Sequence, residues 1–236
     1  MLTQLFQNSI IAIISTFCIT YIIRHLSIKF SIIDIPNQRS SHNKIKPRAG
    51  GLAIIIVWYT YLILFRSEIP TELFYASISS LIIVFISIID DIRSTPFYYR
   101  LIFQAITLLL ALYFLGGLTK VNYSLNQYSN SYILTPIAFI AGLWLINLYN
   151  FIDGIDGYAS TEGIIVFLTL GLLYNNSLFI IFASIIVGFL FWNWQDSKIF
   201  LGDVGSTFIG FNIFIMAVYY QNTSSIPLIS WVILLS

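Results

Sequence analysis

The chain has 236 residues, 58% of them hydrophobic and only 9% charged, with a mean hydropathy of +0.88 and a formal net charge of +1. A soluble globular domain carries about 25% charged residues, so most of this chain is expected to be solvated by lipid. The balanced charge, with no basic stripe outside one loop, argues against nucleic-acid binding, and the single cysteine, Cys18, rules out an intrachain disulfide.

The first apolar run, Leu2 to Ile23, is long enough to cross a bilayer core. No basic segment precedes it and no small-residue cleavage site follows it, which argues against a removable signal peptide. Its cations come afterwards, at Arg24, Lys29, Arg39, Lys44, Lys46 and Arg48. The positive-inside rule then places this loop in the cytoplasm and the N-terminus outside. Further apolar runs follow at Gly51–Phe65, Leu73–Ile89, Leu101–Leu118, Ile133–Tyr149, Gly163–Tyr174, Leu178–Trp194 and Thr207–Tyr220, with an incomplete one from Ile226. Several are shorter than the ~20 residues of a straight crossing helix, and local bilayer thinning or longer helices must make up the difference. Gly116 to Tyr132 reads as a longer polar loop outside the membrane. The expected fold class is all-α: a polytopic transmembrane helical bundle of about eight spans plus a truncated ninth, forming one integral-membrane domain over residues 1–236.

Three acidic clusters sit at the ends of these runs. Asp90-Asp91 closes the third, Asn147 to Gly157 follows the fifth, and Gly202-Asp203-Val204-Gly205-Ser206 precedes the eighth. Counting crossings puts all three on the face of the basic first loop, and of the 11 Lys and Arg only Arg66 and Lys120 fall on the other side. A carboxylate at a helix centre in the bilayer costs about 2.5–3.5 kcal/mol, so such residues face protein, water or a ligand.

Each cluster has a chemical reading and a plainer one. Adjacent carboxylates such as Asp90 and Asp91 repel unless a cation lies beside them, and Mg2+ needs only one or two carboxylates when substrate phosphates complete its shell. The plainer alternative is a solvated helix end with Arg93 as a local partner. Asn147, Asn150 and Asp153 recur every third residue, which keeps them on one slowly drifting helix face, and Gly154 and Gly157 release Asp156 into a turn. That face offers hydrogen-bonding groups for a base or sugar, or polar contacts that join helices. Around Asp203 the glycines permit close backbone approach, and the N–H groups opening the next helix suit an anionic oxygen. A plain loop with Ser206 as an N-cap explains the same letters. The first loop clusters Arg39, Lys44, Lys46 and Arg48 with His42 just ahead of Gly50-Gly51, a composition suited to phosphates. His42 has no second His or Cys at ligand spacing.

These segments, in this order, resemble the polyprenyl-phosphate N-acetylhexosamine-1-phosphate transferases. The first loop, with Asp34-x-Pro36-x-x-Arg39-x-x-His42 and Pro47-Arg48-x-Gly50-Gly51, is closer to the undecaprenyl-phosphate N-acetylglucosamine-1-phosphate branch than to the phospho-N-acetylmuramoyl-pentapeptide branch. The resemblance implies that a polyprenyl phosphate such as undecaprenyl phosphate attacks the β-phosphate of a UDP-sugar. The products are a polyprenyl-diphospho-sugar, the first intermediate of a cell-envelope glycan such as O-antigen, and UMP. It implies Mg2+, with Mn2+ able to substitute, a multi-pass location in the bacterial cytoplasmic membrane with the site on the cytoplasmic face, and a homodimer as a compatible assembly. It assigns Asp90 as general base or nucleophile, assisted by Asp91, and Asp203 with Asp91 to the metal. Asn147, Asn150, Asp153, Asp156 and Phe200 are assigned to the nucleotide sugar, and Lys46, Arg48 and Arg93 to phosphate. Family members continue into further helices and a late cytoplasmic loop with a His-rich motif, so this chain, stopping at Ser236 inside an apolar run, is expected to lack them. Three other readings compete. An intramembrane prenyltransferase would need Asp-rich motifs at other spacings, an ion-coupled transporter would hold its carboxylates near the midplane, and an inactive lipid-binding relative would keep the fold alone.

Overall fold

The computed structural model describes residues 2–36, 44–123 and 126–235. A helix forms at every apolar run, bounded where the sequence stops helix formation. In order these are α1 (Leu2–Lys29), α2 (Leu52–Leu64), α3 (Thr71–Ser79), α4 (Leu81–Ile92), α5 (Phe97–Leu115), α6 (Ser131–Ile152), α7 (Tyr158–Leu173), α8 (Ser177–Asn193), α9 (Gly202–Asn222) and α10 (Leu228–Leu234). Pro70 and Pro96 stand directly before α3 and α5, where a missing N–H is harmless. Asn130 and Asn176 cap α6 and α8 by accepting from first-turn amides, and α5 ends on Gly116 in the left-handed region at φ 72°.

The structure amends the expected architecture in three places. The third run is two helices, because the serines around its centre bond to the preceding turn. Ser79 and Ser80 donate to the carbonyls of Ala76 and Ser77 at 2.6 and 2.7 Å, and Tyr59 reaches the same break, 2.6 Å from the Ser80 hydroxyl. The bundle is also not purely helical. A two-residue ribbon pairs β1 (Ile33–Asp34) with β2 (Lys46–Pro47), and a hairpin pairs β3 (Val121–Tyr123) with β4 (Asn126–Tyr128) inside the segment expected to be a plain polar loop. Finally, among the described residues five helices are long and apolar enough to cross a membrane, with α3 and α4 counted as one, whereas α2, α7 and α8 are apolar but shorter. At 1.5 Å per residue α2, with 13 residues, rises only about 20 Å.

Helix α9 is the axis of the bundle. Its most apolar window is 83% buried, against 22% for those of α1 and α6. It packs on α6 and α4 and touches α2, α3, α5 and α10, while α8 holds α1 and α7. Without a hydrophobic force between helices in lipid, small residues let them approach. A Cβ on Gly188 of α8 would lie 2.4 Å from the Ile13 carbonyl oxygen of α1. The alternating helix directions bring the start of α2, the ends of α4, α6 and α8 and the start of α9 to one end of the molecule.

Candidate active site

The site begins with a backbone seam between the first loop and the segment before α9. The Phe200 amide donates to the Pro47 carbonyl, and Gly50 and Gly51 donate to Phe200 and Leu201, all at 2.8–2.9 Å. Contact this close requires bare backbone: a Cβ on Gly51 would lie 2.2 Å from the Gly205 Cα. Gly51 of the first loop and Gly205 of α9 therefore exist for each other. Gly202 has φ 78°, and a Cβ there would come within 2.6 Å of the Asp91 carboxylate, so only glycine fits on both counts.

Asp91 is buried, and its carboxylate accepts from the amides of Asp203 at 3.0 Å and Val204 at 3.3 Å. The N–H groups opening α9, which the sequence offered to a ligand's anionic oxygen, are thus taken by a protein carboxylate that also matches the helix dipole. Asp90, its chain neighbour, turns elsewhere. Its Oδ1 accepts from the Thr95 amide at 2.7 Å and hydroxyl at 2.5 Å, and its Oδ2 from Arg100 at 3.1 Å. The same Arg100 nitrogen donates to Asp203 Oδ2 at 2.5 Å. Asn150 donates to that oxygen at 3.5 Å while accepting from the Ser206 hydroxyl at 2.6 Å.

Asp153 ends α6 and Asp156 lies in the turn beyond it. Asp156 is fully engaged, accepting from the Ser197 amide (3.0 Å), the Ser197 hydroxyl (2.8 Å) and Lys46 Nζ (3.0 Å). Burial pushes its pKa up, but these donors win and hold it below the ordinary carboxylate value. Asp153 is opposite in behaviour. Burial, followed by repulsion from Asp203, Asp91 and Asp156, drives its pKa well above the usual range, with Arg48 only a partial offset.

Asp91, Asp153, Asp156 and Asp203 line one cavity of about 310 Å³, together with Asn150 and Phe200. Arg48 lines it from the first loop, bonded to Asp34 at 2.9 Å. Of the residues singled out in the sequence, these seven meet there. Asp90 stands one step back, tied to Asp203 through Arg100. Lys46 is behind Asp156, with Nζ 5.3 Å from the centre of the Phe200 ring. Two residues do not join. Asn147 donates to Gln104 of α5 at 2.8 Å and to its own helix, because each three-residue step rotates about 60° around a helix and turns it off the face holding Asp153. Arg93 follows α4 in extended backbone and is exposed. Arg39 and His42 of the first-loop motif lie outside the described residues.

Arg100 takes the place expected of Arg93, and sequence reasoning missed it. Ser197, whose hydroxyl holds Asp156, was missed as well, and Ser206, read as a candidate N-cap, instead donates to Asn150. The available signal was a lone arginine in the first turn of an apolar helix, costly in lipid without a carboxylate partner.

Among the described residues no three or more His, Cys, Asp or Glu side chains form a preformed metal cage. The donors nonetheless suit a hard divalent cation. Five carboxylates line one cavity, Asp34 paired with Arg48 among them, against Arg48 and the adjoining Arg100, and the raised pKa of Asp153 reflects its burial first and the surrounding negative charge second.

Membrane-length helices around a buried axis, with carboxylates from several helix ends converging on one pocket, define an integral-membrane bundle built around a polar site. A sequence profile for glycosyl transferase family 4 matches residues 73–221, well over half of the chain, and the chain belongs to that family. It is similar to a probable undecaprenyl-phosphate N-acetylglucosaminyl 1-phosphate transferase of Bacillus subtilis, 29% identical over 219 residues, covering 88% of this chain and 61% of the relative. It is also similar to an undecaprenyl-phosphate alpha-N-acetylglucosaminyl 1-phosphate transferase of Thermotoga maritima, 31% identical over 84% of this chain and 60% of the relative. A decaprenyl-phosphate N-acetylglucosaminephosphotransferase of Mycolicibacterium smegmatis is 30% identical over 89% of this chain and 58% of the relative. The chain thus spans about three-fifths of the length of the curated relatives it matches.

Proposed function

We propose that this protein transfers an N-acetylhexosamine 1-phosphate from a UDP-sugar to undecaprenyl phosphate or a similar polyprenyl phosphate in the bacterial cytoplasmic membrane. The observation that carries the proposal is the convergence of Asp91, Asp153, Asp156 and Asp203 with Arg48, Asn150 and Phe200 on one cavity. The names of the relatives and the apolar helices support the lipid acceptor, and the positive-inside reading of the first loop supports a cytoplasmic site, where a soluble nucleotide sugar is available.

The chemistry balances without an external base. An oxygen of the lipid phosphate attacks the β-phosphorus of the UDP-sugar. The bond from that phosphorus to the oxygen bridging to the α-phosphorus breaks, and UMP leaves with the electron pair. A phosphate monoester has a second pKa near 6, so the attacking oxygen is already ionised at neutral pH and no proton must be moved. Catalysis then rests on positioning and charge neutralisation. Asp203 and Asp153 are the residues that would hold Mg2+, which would supply positive charge to neutralise the phosphates. Asp91 fixes the start of α9 and so the aim of Asp203. Asp90, with both oxygens engaged, positions Arg100 beside Asp203. Asn150 and Asp156 offer polar contacts to the uridine and sugar, Phe200 a stacking face, and Arg48 a phosphate contact.

The test is a membrane assay of the protein in its complete encoded context. Undecaprenyl phosphate is incubated with a panel of UDP-N-acetylhexosamines radiolabelled in the sugar. The expected result is organic-extractable label with one UMP released per product, abolished by EDTA and restored by Mg2+. UDP-sugar turnover without lipid-linked label, or isoprenyl diphosphate consumption in its place, would overturn the reading.

A further inference from the structure

A second cavity, of about 430 Å³, lies behind the carboxylate pocket. The two share a partition. Asp156 lines the first cavity, Lys46 and Ser197 line the second, and these three side chains are bonded to one another at 2.8–3.0 Å. The second cavity is cationic. Arg24 reaches it from α1, Lys44 and Lys46 from the first-loop ribbon, and Lys198 from the segment between α8 and α9. Four of the chain's 11 Lys and Arg thus surround one space in a protein of net charge +1. The carboxylate among its described lining residues is Asp196, 3.8 Å from Lys44 and 3.3 Å from Lys46. Asp156 also pairs with Lys46, at 3.0 Å, and even counting it the four cations outnumber these two carboxylates two to one.

Most of the remaining wall is apolar, formed by Ile28, Ile33, Ile45 and Pro47. Ile28 and Ile45 line the cavity and are 50% and 60% exposed. Ile28 sits in the last turns of α1, on the same helix face as the exposed Tyr21 and Phe17 of the preceding turns. A soluble polyanion has no use for such a rim, whereas a lipid needs both parts: cations for its phosphate and an apolar helix face for its chains.

We propose that this cavity binds the phosphate headgroup of an anionic membrane lipid, with the acyl chains lying along the exposed face of α1. The site is distinct from the carboxylate pocket and does not depend on the transferase reading. Arg24 and Lys198 are joined through the Arg24 Nε and the Lys198 carbonyl at 3.2 Å, so a bound headgroup bridges α1 to the segment that leads into α9.

The probes are phosphatidylglycerol and phosphatidylcholine, titrated into the detergent-purified protein and counted by native mass spectrometry. The wild type is expected to retain one phosphatidylglycerol at concentrations where phosphatidylcholine is lost, and glycerol 3-phosphate at equal concentration should not displace it. The double variant Arg24→Gln/Lys198→Gln should lose that retention at least tenfold, while Lys120→Gln, just before β3, keeps it. If the double variant does not fold, Lys44→Gln, whose side chain is 80% exposed, gives the same readout with a loss of a few fold. Equal retention of both lipids, displacement by glycerol 3-phosphate, or undiminished retention in the folded variants would each overturn the proposal.

Discussion

The two ends of the bundle satisfy their polar groups in different ways. At the end holding the carboxylate pocket, ion pairs join residues far apart in the chain: Arg100 to Asp203, and Lys46 to Asp156. At the other end Arg66, in the connection from α2 to α3, is satisfied by near neighbours. It donates to the Ile69 carbonyl and the Thr71 hydroxyl and covers the Phe74 ring at 4.3 Å. Longer-range ties there are neutral, such as Asn222 to Thr119 and Gly117. Neutral caps close helices at little cost. Converging like charges destabilise a fold, and their concentration at one end marks where function outweighs stability.

The largest expected effect comes from Asp203. Changing it to Asn keeps the shape but removes one of the carboxylates proposed to hold Mg2+ and half of the Arg100 clasp. Mg2+-dependent UMP release should fall by on the order of 10²–10³-fold with expression unaltered. Unchanged turnover would remove Asp203 from the site. Gly202→Ala comes next, because a methyl group there meets the Asp91 carboxylate at 2.6 Å and forces an L-residue into the left-handed region. A loss of about 1–3 kcal/mol, read as a lower melting temperature together with reduced activity, is expected.

Arg100 tests whether the long-range clasp matters. Arg100→Gln leaves Asp90 and Asp203 without their shared donor, and a charge-assisted bond is worth about 1.5–3 kcal/mol. Activity should therefore drop roughly 10- to 100-fold. Arg100→Lys should recover part of it, since an ammonium restores the charge but not the fork. Equal activity of all three proteins would reduce the clasp to packing.

Asp153 gives the pH signature. Its pKa is raised by burial and then by Asp203, Asp91 and Asp156, so the folded state binds its proton more tightly than the unfolded chain does. The stabilising contribution is fully present below the unfolded value near 3.9 and is lost as pH rises through the raised folded value. Asp153→Asn cannot ionise. At neutral pH it should melt higher than the wild type while being less active, and the difference in melting temperature should vanish in acid. A variant that melts lower at pH 7 would show that the like-charge crowding is already relieved.

The sequence was informative where a residue's cost was local. Asp91, Asp153 and Asp203 at the ends of apolar runs were expensive wherever they pointed, so their convergence could be anticipated from helix parity alone. Direction and tertiary partners were not legible. Asn147 shares its spacing with Asn150 and Asp153, yet the drift of a three-residue step turns it to Gln104 on α5. Arg93, next to Asp91 in the chain, was the obvious cation, but α4 ends at Ile92 and Arg100 reaches the carboxylates from the following helix. The break at Ser80 and the hairpin before α6 were hidden for another reason. Apolar composition sets where a segment lies, whereas hydroxyl-to-carbonyl bonds and turn geometry set whether its backbone stays helical.

Asn222 supplies the smallest effect and the control for the whole contrast. Its side-chain oxygen accepts from the Thr119 amide at 2.9 Å and hydroxyl at 3.0 Å, and its amide donates to the Gly117 carbonyl at 2.7 Å, fastening the end of α9 to the segment after α5. These are neutral and partly solvated bonds, each worth about 1 kcal/mol net, and water replaces some of them once the side chain is gone. Asn222→Ala should lower stability by roughly 1–2 kcal/mol and leave the Mg2+ dependence and turnover of the surviving protein unchanged. Because α9 runs unbroken from Asn222 to the Asp203 turn, a change in catalysis as well would mean that the helix transmits strain along its length. The two ends would then be one mechanical unit and not a functional pole and a structural one.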